Sequence, residues 1–378
     1  DLVGNDTVPR KVNKNNEIIP AFSKTDPDWV KFKTDHPELQ PLLQAREDAK
    51  SNIMITRPER YLALSQHWPY TLPMAYSYYG AHTGRWSGSD GLNVQNMPAL
   101  RKSNLRRCVL APPNHVLHVC DLAQIELRVQ LWFSGQLDSL NDLANGVDIY
   151  SISAAQDFNK SPQAITKIER AMGKAKELGL QFRMGATKYR AYLAGGPLGL
   201  DPIFITERDA QRTVANYRHT HPATVRMWEK LDERIHVLTD PNADQNPVQL
   251  GPVKLRYMAV ELPNGMLMDY SGLHYTPDGW IFGTSKKPHF FHGGIFLQNI
   301  VQALARIVLS DAAIAIENEL PHCTVAGWTH DETITIGPEN TANTDFEHIL
   351  SIHQRRPTWA QDLPIDAEGG YSERYDVK

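Results

Sequence analysis

The chain has 378 residues, a hydrophobic content of 41%, a charged content of 22% and a formal net charge of −4, which are typical of a globular protein with two or three domains. The slight negative charge excludes a uniformly basic nucleic-acid binder, so any site for a polyanion needs a local concentration of Lys and Arg. The three cysteines, Cys108, Cys120 and Cys323, are widely spaced and contain no CxxC pair, which argues against a zinc site and indicates a reducing compartment.

The first part of the chain, residues 1 to about 35, is dominated by Asn, Lys, Asp and Pro, and we predict that it is irregular. Two helical pieces are predicted between His36 and about Leu64, separated by residues 56–58. Two surface helices are sufficient to explain the pattern of these residues, and no functional role is needed.

Residues 81–98, AHTGRWSGSDGLNVQNMP, form a predicted loop because Gly, Ser, Asp and Asn are concentrated there. Arg, Asn and Gln also recur in it, and these side chains donate hydrogen bonds to minor-groove acceptors that every base pair presents. A plain loop does not explain this polar set, which is Arg85, Asn93, Gln95 and Asn96. Basic pairs follow at 101–102 and 106–107; they suit backbone phosphates, and a solvated basic face explains them equally well.

A short buried strand is predicted at 116–119, and it ends near Asp121. A carboxylate at the end of a buried strand is held in place without being buried unpaired, which suits a metal ligand. Capping of the next helix is the commoner role of such an Asp, and this segment alone leaves both roles open. The next helix is predicted to be amphipathic from the spacing of Ile125, Leu127, Val129, Leu131 and Trp132.

The most basic predicted helix covers residues 165–193. Two cations followed by two apolar groups on one helix face suit the phosphates and then the base of a nucleotide. An amphipathic surface helix with cations that extend to solvent is the commoner explanation, and the spacing leaves both open. The residues that recur every four positions on this face are Arg170, Lys174, Leu178 and Phe182.

A second acidic site, His-Asp-Glu at 330–332, lies at the tip of a predicted hairpin of strands 324–326 and 333–336. An ordinary polar turn explains a single Asp-Glu pair. Two strand-end aspartates in one chain instead favour Mg²⁺, which needs few carboxylates and completes its shell with water and phosphate. Two such ions about 4 Å apart promote in-line phosphoryl transfer.

The remaining elements are helices at about 206–238, short strands at 248–292 and a long apolar helix at 296–320 whose polar edge includes Gln302. No apolar run approaches the roughly 20 residues of a membrane span, and no signal peptide is recognised. We therefore expect no membrane partner and a cytoplasmic location.

Four motifs, in this order, resemble the polymerase module of DNA polymerase family A, the DNA polymerase I type, from about residue 40 to the C-terminus. TGRWSGSDGLNVQN resembles TGRLSS…NLQN; CDLAQIELR resembles motif A, DYSQIELR; RAMGKAKELGLQF resembles motif B, RxxxKxxxFGxxY; and THDE resembles motif C, HDE. Four ordered motifs are far more specific than one short pattern. The GG…LQNIVQALAR segment and the EGGY…RY tail are most similar to bacteriophage members.

The resemblance implies an α+β right-hand polymerase fold of thumb, fingers and palm, with an antiparallel palm sheet that carries two catalytic aspartates. We expect an N-terminal segment and partial thumb at 1–75, palm at 76–143 and 299–378, and fingers at 144–298 with a motif B helix at 166–193. The implied function is a DNA-directed DNA polymerase that adds deoxynucleotides to a primer 3′-OH by two-metal-ion phosphoryl transfer with release of pyrophosphate.

The same motifs imply roles for individual residues. Asp121 and Asp331 are expected to bind two Mg²⁺ ions, for which Mn²⁺ can substitute, with the Leu122 carbonyl as a further ligand and Glu332 as a supporting carboxylate. Glu126 is expected to be the steric gate that excludes ribonucleotides. The other expected nucleotide-binding residues are Arg170, Lys174 (also counted as catalytic), Leu178, Phe182, Gln124 and Tyr150. The expected DNA contacts are Arg85, Asn93, Gln95, Asn96, Gln302 and His330.

Several positions depart from the family pattern. Leu122 replaces a Tyr but keeps its backbone carbonyl, and Trp86 replaces a Leu. Leu178 stands where the family usually has an aromatic residue. Phe182 replaces a Tyr, which removes a hydroxyl that would hydrogen-bond Glu126. None of these changes affects the two aspartates, so we expect an active enzyme.

Two other functions agree with parts of the sequence. A single-subunit RNA polymerase relative shares the palm and the Arg/Lys helix, and a non-catalytic DNA-binding subunit shares the fold. Glu126 and the 81–98 loop favour DNA synthesis, and the presence of both aspartates favours catalysis. The expected partners are primer–template DNA and deoxynucleoside triphosphates, bound by a monomeric module in the cytoplasm of a bacterial host if the protein is phage-encoded. We expect no proofreading or 5′-nuclease module before residue 40.

Overall fold

The fold combines helices with small antiparallel sheets, and contacts between residues divide the chain into two compact units. The first unit contains residues 1–56 and 148–222, and the second contains residues 57–147 and 223–378. The division into thumb, palm and fingers at the boundaries expected above stays a prediction. The computed structural model describes residues 8–12, 17–22, 26–50, 53–67, 71–90, 93–98, 100, 103–284 and 287–377.

The described helices and strands confirm the predicted mixture of α and antiparallel β structure. The helices are α1 (Pro27–Asp35), α2 (Gln40–Lys50), α3 (Ile53–His67), α4 (Ile125–Ser134), α5 (Leu137–Ala144), α6 (Ile149–Phe158), α7 (Lys167–Leu180), α8 (Ala186–Ala194), α9 (Glu207–Thr220), α10 (Pro222–Arg234), α11 (Gly293–Glu319) and α12 (Ala342–His353). The strands are β1 (Arg10–Val12), β2 (Ile18–Pro20), β3 (Tyr76–Ser77), β4 (Ser87–Gly88), β5 (His115–Leu122), β6 (Val248–Leu250), β7 (Val253–Arg256), β8 (Ala259–Glu261), β9 (Leu267–Asp269), β10 (His274–Thr276), β11 (Gly279–Thr284), β12 (Lys287–Phe290), β13 (Thr324–Thr329), β14 (Glu332–Pro338) and β15 (Ala367–Ser372).

The described part of the first 35 residues contains regular elements, whereas the composition predicted irregular structure. β1 and β2 form an antiparallel pair, and α1 follows. The carboxylate of Asp26 caps α1 by accepting hydrogen bonds from the backbone of its first turn, where Pro27 supplies a preset φ. Trp29 and Phe32 of α1 are buried in a small core, because one apolar stripe of this polar helix is enough to anchor it.

The first unit also contains α6 and α7, which approach each other closely. At Gly173 of α7 a Cβ atom would lie 2.1 Å from the carbonyl oxygen of Tyr150, so only glycine fits this contact. Lys176 of α7 is buried and donates to Asp157 Oδ1 at 3.1 Å and to the carbonyl of Ser153 at 3.2 Å. These bonds compensate the buried ammonium.

The predicted single helix at 166–193 is in fact two helices, α7 and α8. Thr166 and Glu169 form a reciprocal capping box that starts α7. α7 ends at Leu180, and Arg183 adopts a left-handed φ of +67°, which stops a right-handed helix. Phe182 therefore lies beyond the end of α7 rather than on the same helical face as Arg170.

In the second unit, four antiparallel strands form a sheet in the order β13-β14-β5-β15. β5 is a central strand, and its alternate side chains enter two different cores. Leu117 and Val119 pack on one face with Ile334, and Cys120 packs on the other face with residues of α11 and α12. Burial of both faces explains the continuous apolar run, and it confirms the strand predicted at 116–119.

Helix α4 differs from the amphipathic helix that its spacing predicts. Residues on all sides of it are buried, including polar Arg128 and Gln130. Arg128 donates to the carbonyl of Ala123 at 2.9 Å, and Gln130 donates to Thr224 Oγ1 at 3.0 Å. Because the Arg128 guanidinium and the Gln130 side-chain N–H group have partners, the helix tolerates burial all round rather than on one face.

Helix α11 is long and apolar enough to cross a membrane, in contrast to the prediction that no segment is. The most apolar part of this helix is 67% buried inside the protein, as is usual for a helix in a protein core. Length and composition alone are therefore weak evidence for a membrane span here. The strands predicted at 248–292 are confirmed as the sheets β6-β7-β8-β9 and β10-β11-β12.

Candidate active site

The end of β5 and the β13–β14 hairpin bring two acidic segments side by side. Asp121 of β5 is paired in register with Glu332 of β14. Beyond that pair, the backbone N–H of Leu122 donates to the carbonyl of Asp331 at 3.0 Å. The two aspartates singled out in the sequence therefore lie at the same end of the sheet, on backbone positions that hydrogen bonds hold. We call this end of the sheet, with Asp121, Glu126, Asp331 and Glu332, the acidic edge.

The hairpin tip is a two-residue loop. Thr329 pairs with Glu332, so only His330 and Asp331 lie between the strands, and His330 has a φ of +58°. Such left-handed residues suit the tight turns that match the twist of a hairpin. The predicted tight turn is confirmed. Glu332, which the prediction placed at the tip, is instead the first residue of β14 and is 7% exposed.

A single guanidinium connects two carboxylates beside this tip. Arg85 Nη2 lies 2.7 Å from Glu126 Oε1 and 2.9 Å from Asp331 Oδ1. The three side chains are each only about a quarter exposed. Burial raises the pKa of Glu126 and of Asp331, and the charge of Arg85 opposes both shifts. Two partly buried carboxylates therefore share one guanidinium at this corner.

Glu332 has its own set of partners, which the sequence motifs did not indicate. The hydroxyl of Tyr375 donates to Glu332 Oε1, and Arg106 Nη1 lies 3.8 Å from the same oxygen. The Arg106 guanidinium also lies 4.6 Å from the centre of the Tyr375 ring. Burial and the Glu332 carboxylate raise the pKa of Tyr375, so its hydroxyl stays a donor. In the sequence, only the basic pair at 106–107 and the C-terminal RY dipeptide pointed to these partners of Glu332.

An aromatic cluster supports the strand that leads to Asp331. The Tyr76 hydroxyl donates to the carbonyl of Trp328 at 2.9 Å and accepts from its N–H at 3.2 Å. The Trp328 ring lies 5.5 Å from the Tyr76 ring and 4.5 Å from the Trp86 ring. The Arg306 guanidinium lies 4.3 Å from the centre of the Trp86 ring. Trp86, a departure from the family pattern, thus packs between a buried cation and β13.

Replacing Tyr76 by Phe is expected to lower the free energy of unfolding by about 1–3 kcal/mol, because both backbone groups of Trp328 lose their side-chain partner. Urea unfolding followed by tryptophan fluorescence measures this change. Tyr78→Phe is the matched control, since Tyr78 is 66% exposed and its hydroxyl lies 3.9 Å from the Met266 sulfur. Equal stability of the two variants would show that the Tyr76 bonds contribute nothing.

The remaining predicted residues of the second unit lie on separate elements. Gln124 has a left-handed φ of +56° and directly precedes α4. Gln302 is half-buried on α11. Asn93 and Gln95 are half-buried and Asn96 is exposed, on a short helical turn after the 81–90 loop. Residues 101–102 of the predicted basic cluster lie outside the described residues.

In the first unit, the predicted nucleotide-binding residues form a group around Tyr150 of α6. The Arg170 guanidinium and the Lys174 ammonium lie 5.4 Å and 5.7 Å from the centre of the Tyr150 ring. Arg170 Nε also donates to Asp148 Oδ2 at 2.7 Å, a pairing that the sequence did not indicate. Leu178 is half-buried farther along α7. Close cation–ring contacts such as these position charged side chains without neutralising them.

Comparison with known proteins identifies the family. The profile of DNA polymerase family A matches residues 12–237, more than half of the chain. The DNA polymerase of Bacillus phage SP02 is 24% identical over 357 residues, which cover 79% of this chain and 51% of that protein. The thermostable DNA polymerase I of Thermus thermophilus is 29% identical over 221 residues, which cover 56% of this chain and 25% of that protein.

A solved structure shares the fold. The POL domain of Pol1 from M. smegmatis, in complex with DNA primer-template and dNTP, superposes with a TM-score of 0.70 at 17% identity, covering 98% of this chain and 58% of that one. This chain spans about half the length of the phage relative and a quarter of the Thermus relative. The family match, together with the four ordered motifs, shows that the chain belongs to DNA polymerase family A.

Proposed function

We propose that this chain is a DNA-directed DNA polymerase, which adds deoxynucleotides to the 3′-OH of a primer and releases pyrophosphate. The observation that carries the proposal is the shared edge of Asp121 and Asp331. Both lie on backbone that is fixed by the β5–β14 ladder and by the bond from Leu122 N–H to the Asp331 carbonyl. A rigid pair of carboxylates at a sheet edge suits phosphoryl transfer, in which positioning supplies most of the catalysis.

The donor set at this edge fits divalent magnesium. The candidate ligands are hard oxygen atoms, namely the Asp121 and Asp331 carboxylates and the Leu122 carbonyl, which magnesium prefers. The carboxylates of Glu126 and Asp331 share one guanidinium, so a bound divalent cation would add a second positive partner for them. When bound, Mg²⁺ would lower the pKa of the primer hydroxyl and stabilise the charge on the phosphates.

The side chains around this edge have separate proposed roles. Glu332 is a supporting carboxylate, which Tyr375 holds by a hydrogen bond. Glu126 is the gate against the ribose 2′-OH, and its contact with Arg85 fixes its carboxylate. Within the second unit, Arg85 is the charged partner that the structure gives to this carboxylate. This arrangement favours deoxynucleotides, and with them DNA synthesis over the RNA polymerase alternative.

The first unit supplies the proposed contacts to the incoming nucleotide. Arg170 and Lys174 are suited to the triphosphate, because both cations lie on one face of α7. Asp148 competes for Arg170, with which it pairs at 2.7 Å. When the triphosphate binds, one of its phosphates would replace the Asp148 carboxylate as the partner of Arg170. The Arg170 guanidinium would then have an anionic partner both before and after the nucleotide binds. Leu178 and Phe182 are assigned to the base and sugar, with Gln124 and Tyr150 as further contacts.

The proposed partner is primer–template DNA. We assign the minor-groove contacts to Arg85, Asn93, Gln95 and Asn96, whose amide and guanidinium groups match the acceptors present on every base pair. Gln302 and His330 complete this set. We further propose that the β13-β14-β5-β15 sheet is the palm of a right-hand polymerase, flanked by fingers and a partial thumb.

Primer extension tests the proposal. The purified chain is incubated with a DNA primer–template and Mg²⁺, with deoxynucleotides in one reaction and ribonucleotides in the other. Extension with deoxynucleotides alone is expected. Efficient extension with ribonucleotides would favour the RNA polymerase alternative, and binding of DNA without extension by either nucleotide would favour a non-catalytic subunit.

A further inference from the structure

Three side chains that can bind a metal converge on the helical face of the sheet, away from the acidic edge. His322 and Cys323 lie in the connection between α11 and β13, and Asp345 lies in the first turn of α12. One ligand atom from each residue lies within 4.8 Å of the other two. His322 Nε2 is 2.9 Å from Asp345 Oδ1, and Cys323 Sγ is 3.6 Å from Asp345 Oδ2.

The chemistry of this group differs from that of the acidic edge. A thiol, an imidazole and one carboxylate form a mixed sulfur, nitrogen and oxygen set, which suits Zn²⁺ and related transition metals rather than Mg²⁺. Zinc binds such atoms at about 2.0–2.3 Å, so ligand atoms already within 4.8 Å of one another need only small side-chain movements. Binding would replace the thiol proton and release it to solvent.

The surroundings of the group favour a bound ion. Cys323 and Asp345 are buried, whereas the His322 side chain is 43% exposed, so the group has both a protected interior and a path for entry. Thr341 Oγ1 donates to Asp345 Oδ2 at 2.6 Å, and a hydrogen bond of this kind orients a carboxylate ligand. The Asp345 carboxylate is thus already oriented before any ion binds.

A fourth donor borders the same space. A Cβ atom at Gly337 would lie 2.8 Å from Cys323 Sγ, 2.8 Å from His118 Cε1 and 3.3 Å from His118 Nδ1, so the thiol and this imidazole flank one glycine. His118 is fully buried. Its Nε2 is 3.0 Å from the carbonyl of Ala342, and its buried Nδ1 forms no hydrogen bond of ordinary geometry. A buried nitrogen of this kind can bind an ordered water or an ion.

We propose that His322, Cys323 and Asp345 form a zinc-class metal site that fastens the α11–β13 connection to α12, with His118 beside it. The widely spaced cysteines gave no sign of such a site, because its residues come from separate elements and follow no zinc-motif spacing. The site lies on the opposite side of β5 from the acidic edge, since Cys120 and Cys323 share one core and Leu117 and Val119 share the other. Its role is therefore structural and is independent of nucleotide addition.

Cobalt titration of the chelator-treated full chain tests the proposal. One equivalent of Co²⁺ is expected to produce a thiolate-to-cobalt charge-transfer band and the visible bands of tetrahedral cobalt, and Zn²⁺ is expected to remove both. Cys323→Ser is expected to lose the charge-transfer band, whereas Cys108→Ser, which changes an exposed free cysteine, keeps it. Absence of the band in the unmodified chain, or its persistence in Cys323→Ser, would overturn the proposal.

A second variant covers the case in which Cys323→Ser does not fold. His322→Gln changes a largely exposed side chain and is expected to fold normally, with an affinity for Zn²⁺ that is lower by roughly tenfold or more. The rise in unfolding temperature that Zn²⁺ causes in the unmodified chain is expected to shrink accordingly. Asp278→Ala, which removes an exposed carboxylate in the turn between β10 and β11, is expected to keep the full zinc affinity. Unchanged affinity in His322→Gln, or its loss in Asp278→Ala, would contradict the assignment.

Discussion

Nucleotide addition is expected to fall by about 10³-fold or more when Asp121 or Asp331 is replaced by alanine, with little change in primer–template affinity. A loss of this size corresponds to about 4 kcal/mol of transition-state stabilisation, which is the scale expected when a metal-binding carboxylate is removed. DNA binding is expected to persist because Arg, Asn and Gln side chains elsewhere supply its contacts. Single-turnover incorporation of one deoxynucleotide and fluorescence anisotropy with labelled DNA measure the two quantities separately.

Asp278→Ala is the matched control for these two variants. Asp278 is an exposed carboxylate in the turn between β10 and β11, so its loss changes the net charge equally without touching the acidic edge. Thermal unfolding checks that each variant is folded, since Asp331 is also an ion-pair partner of Arg85. A rate close to that of the unmodified chain in either aspartate variant would refute the metal assignment.

Discrimination against ribonucleotides is expected to fall by roughly 10- to 200-fold in Glu126→Ala, the range that small steric differences in a binding site produce. The physical reason is the fixed position of the side chain: Glu126 is a quarter exposed and its carboxylate contacts Arg85 at 2.7 Å. Removing it opens space for a 2′-OH. The ratio of kcat/KM for matched deoxy- and ribonucleotides measures the effect.

Glu126→Gln separates size from charge. It keeps the length of the side chain and a hydrogen-bond acceptor for Arg85 but removes the negative charge. We expect this variant to keep most of the discrimination if the gate acts by steric exclusion. The same ratio in Glu126→Ala as in the unmodified chain would place the gate at another residue, and Leu178 would be the first to test.

Local patterns predicted the elements whose geometry depends mainly on neighbouring residues. The β5 strand, the β13–β14 hairpin and the long helix α11 were confirmed, because alternation, turn residues and a sustained apolar period are local signals. The prediction of one continuous helix at 166–193 was wrong. The residues on both sides of the break at Arg183 have helical spacing, so the spacing did not reveal the break. The all-round burial of α4 was missed because its polar residues have partners that are distant in sequence, such as Thr224 for Gln130.

By itself, the sequence determined the family and the candidate catalytic residues, because motif spacing along one chain is sufficient to recognise both. Only the tertiary structure decided which groups share one environment. The pairing of Arg85 with Glu126 and Asp331, the support of Trp328 by Tyr76 and the convergence of His322, Cys323 and Asp345 each join residues from separate segments. Such contacts are set by sheet register and helix packing, which short sequence patterns do not encode.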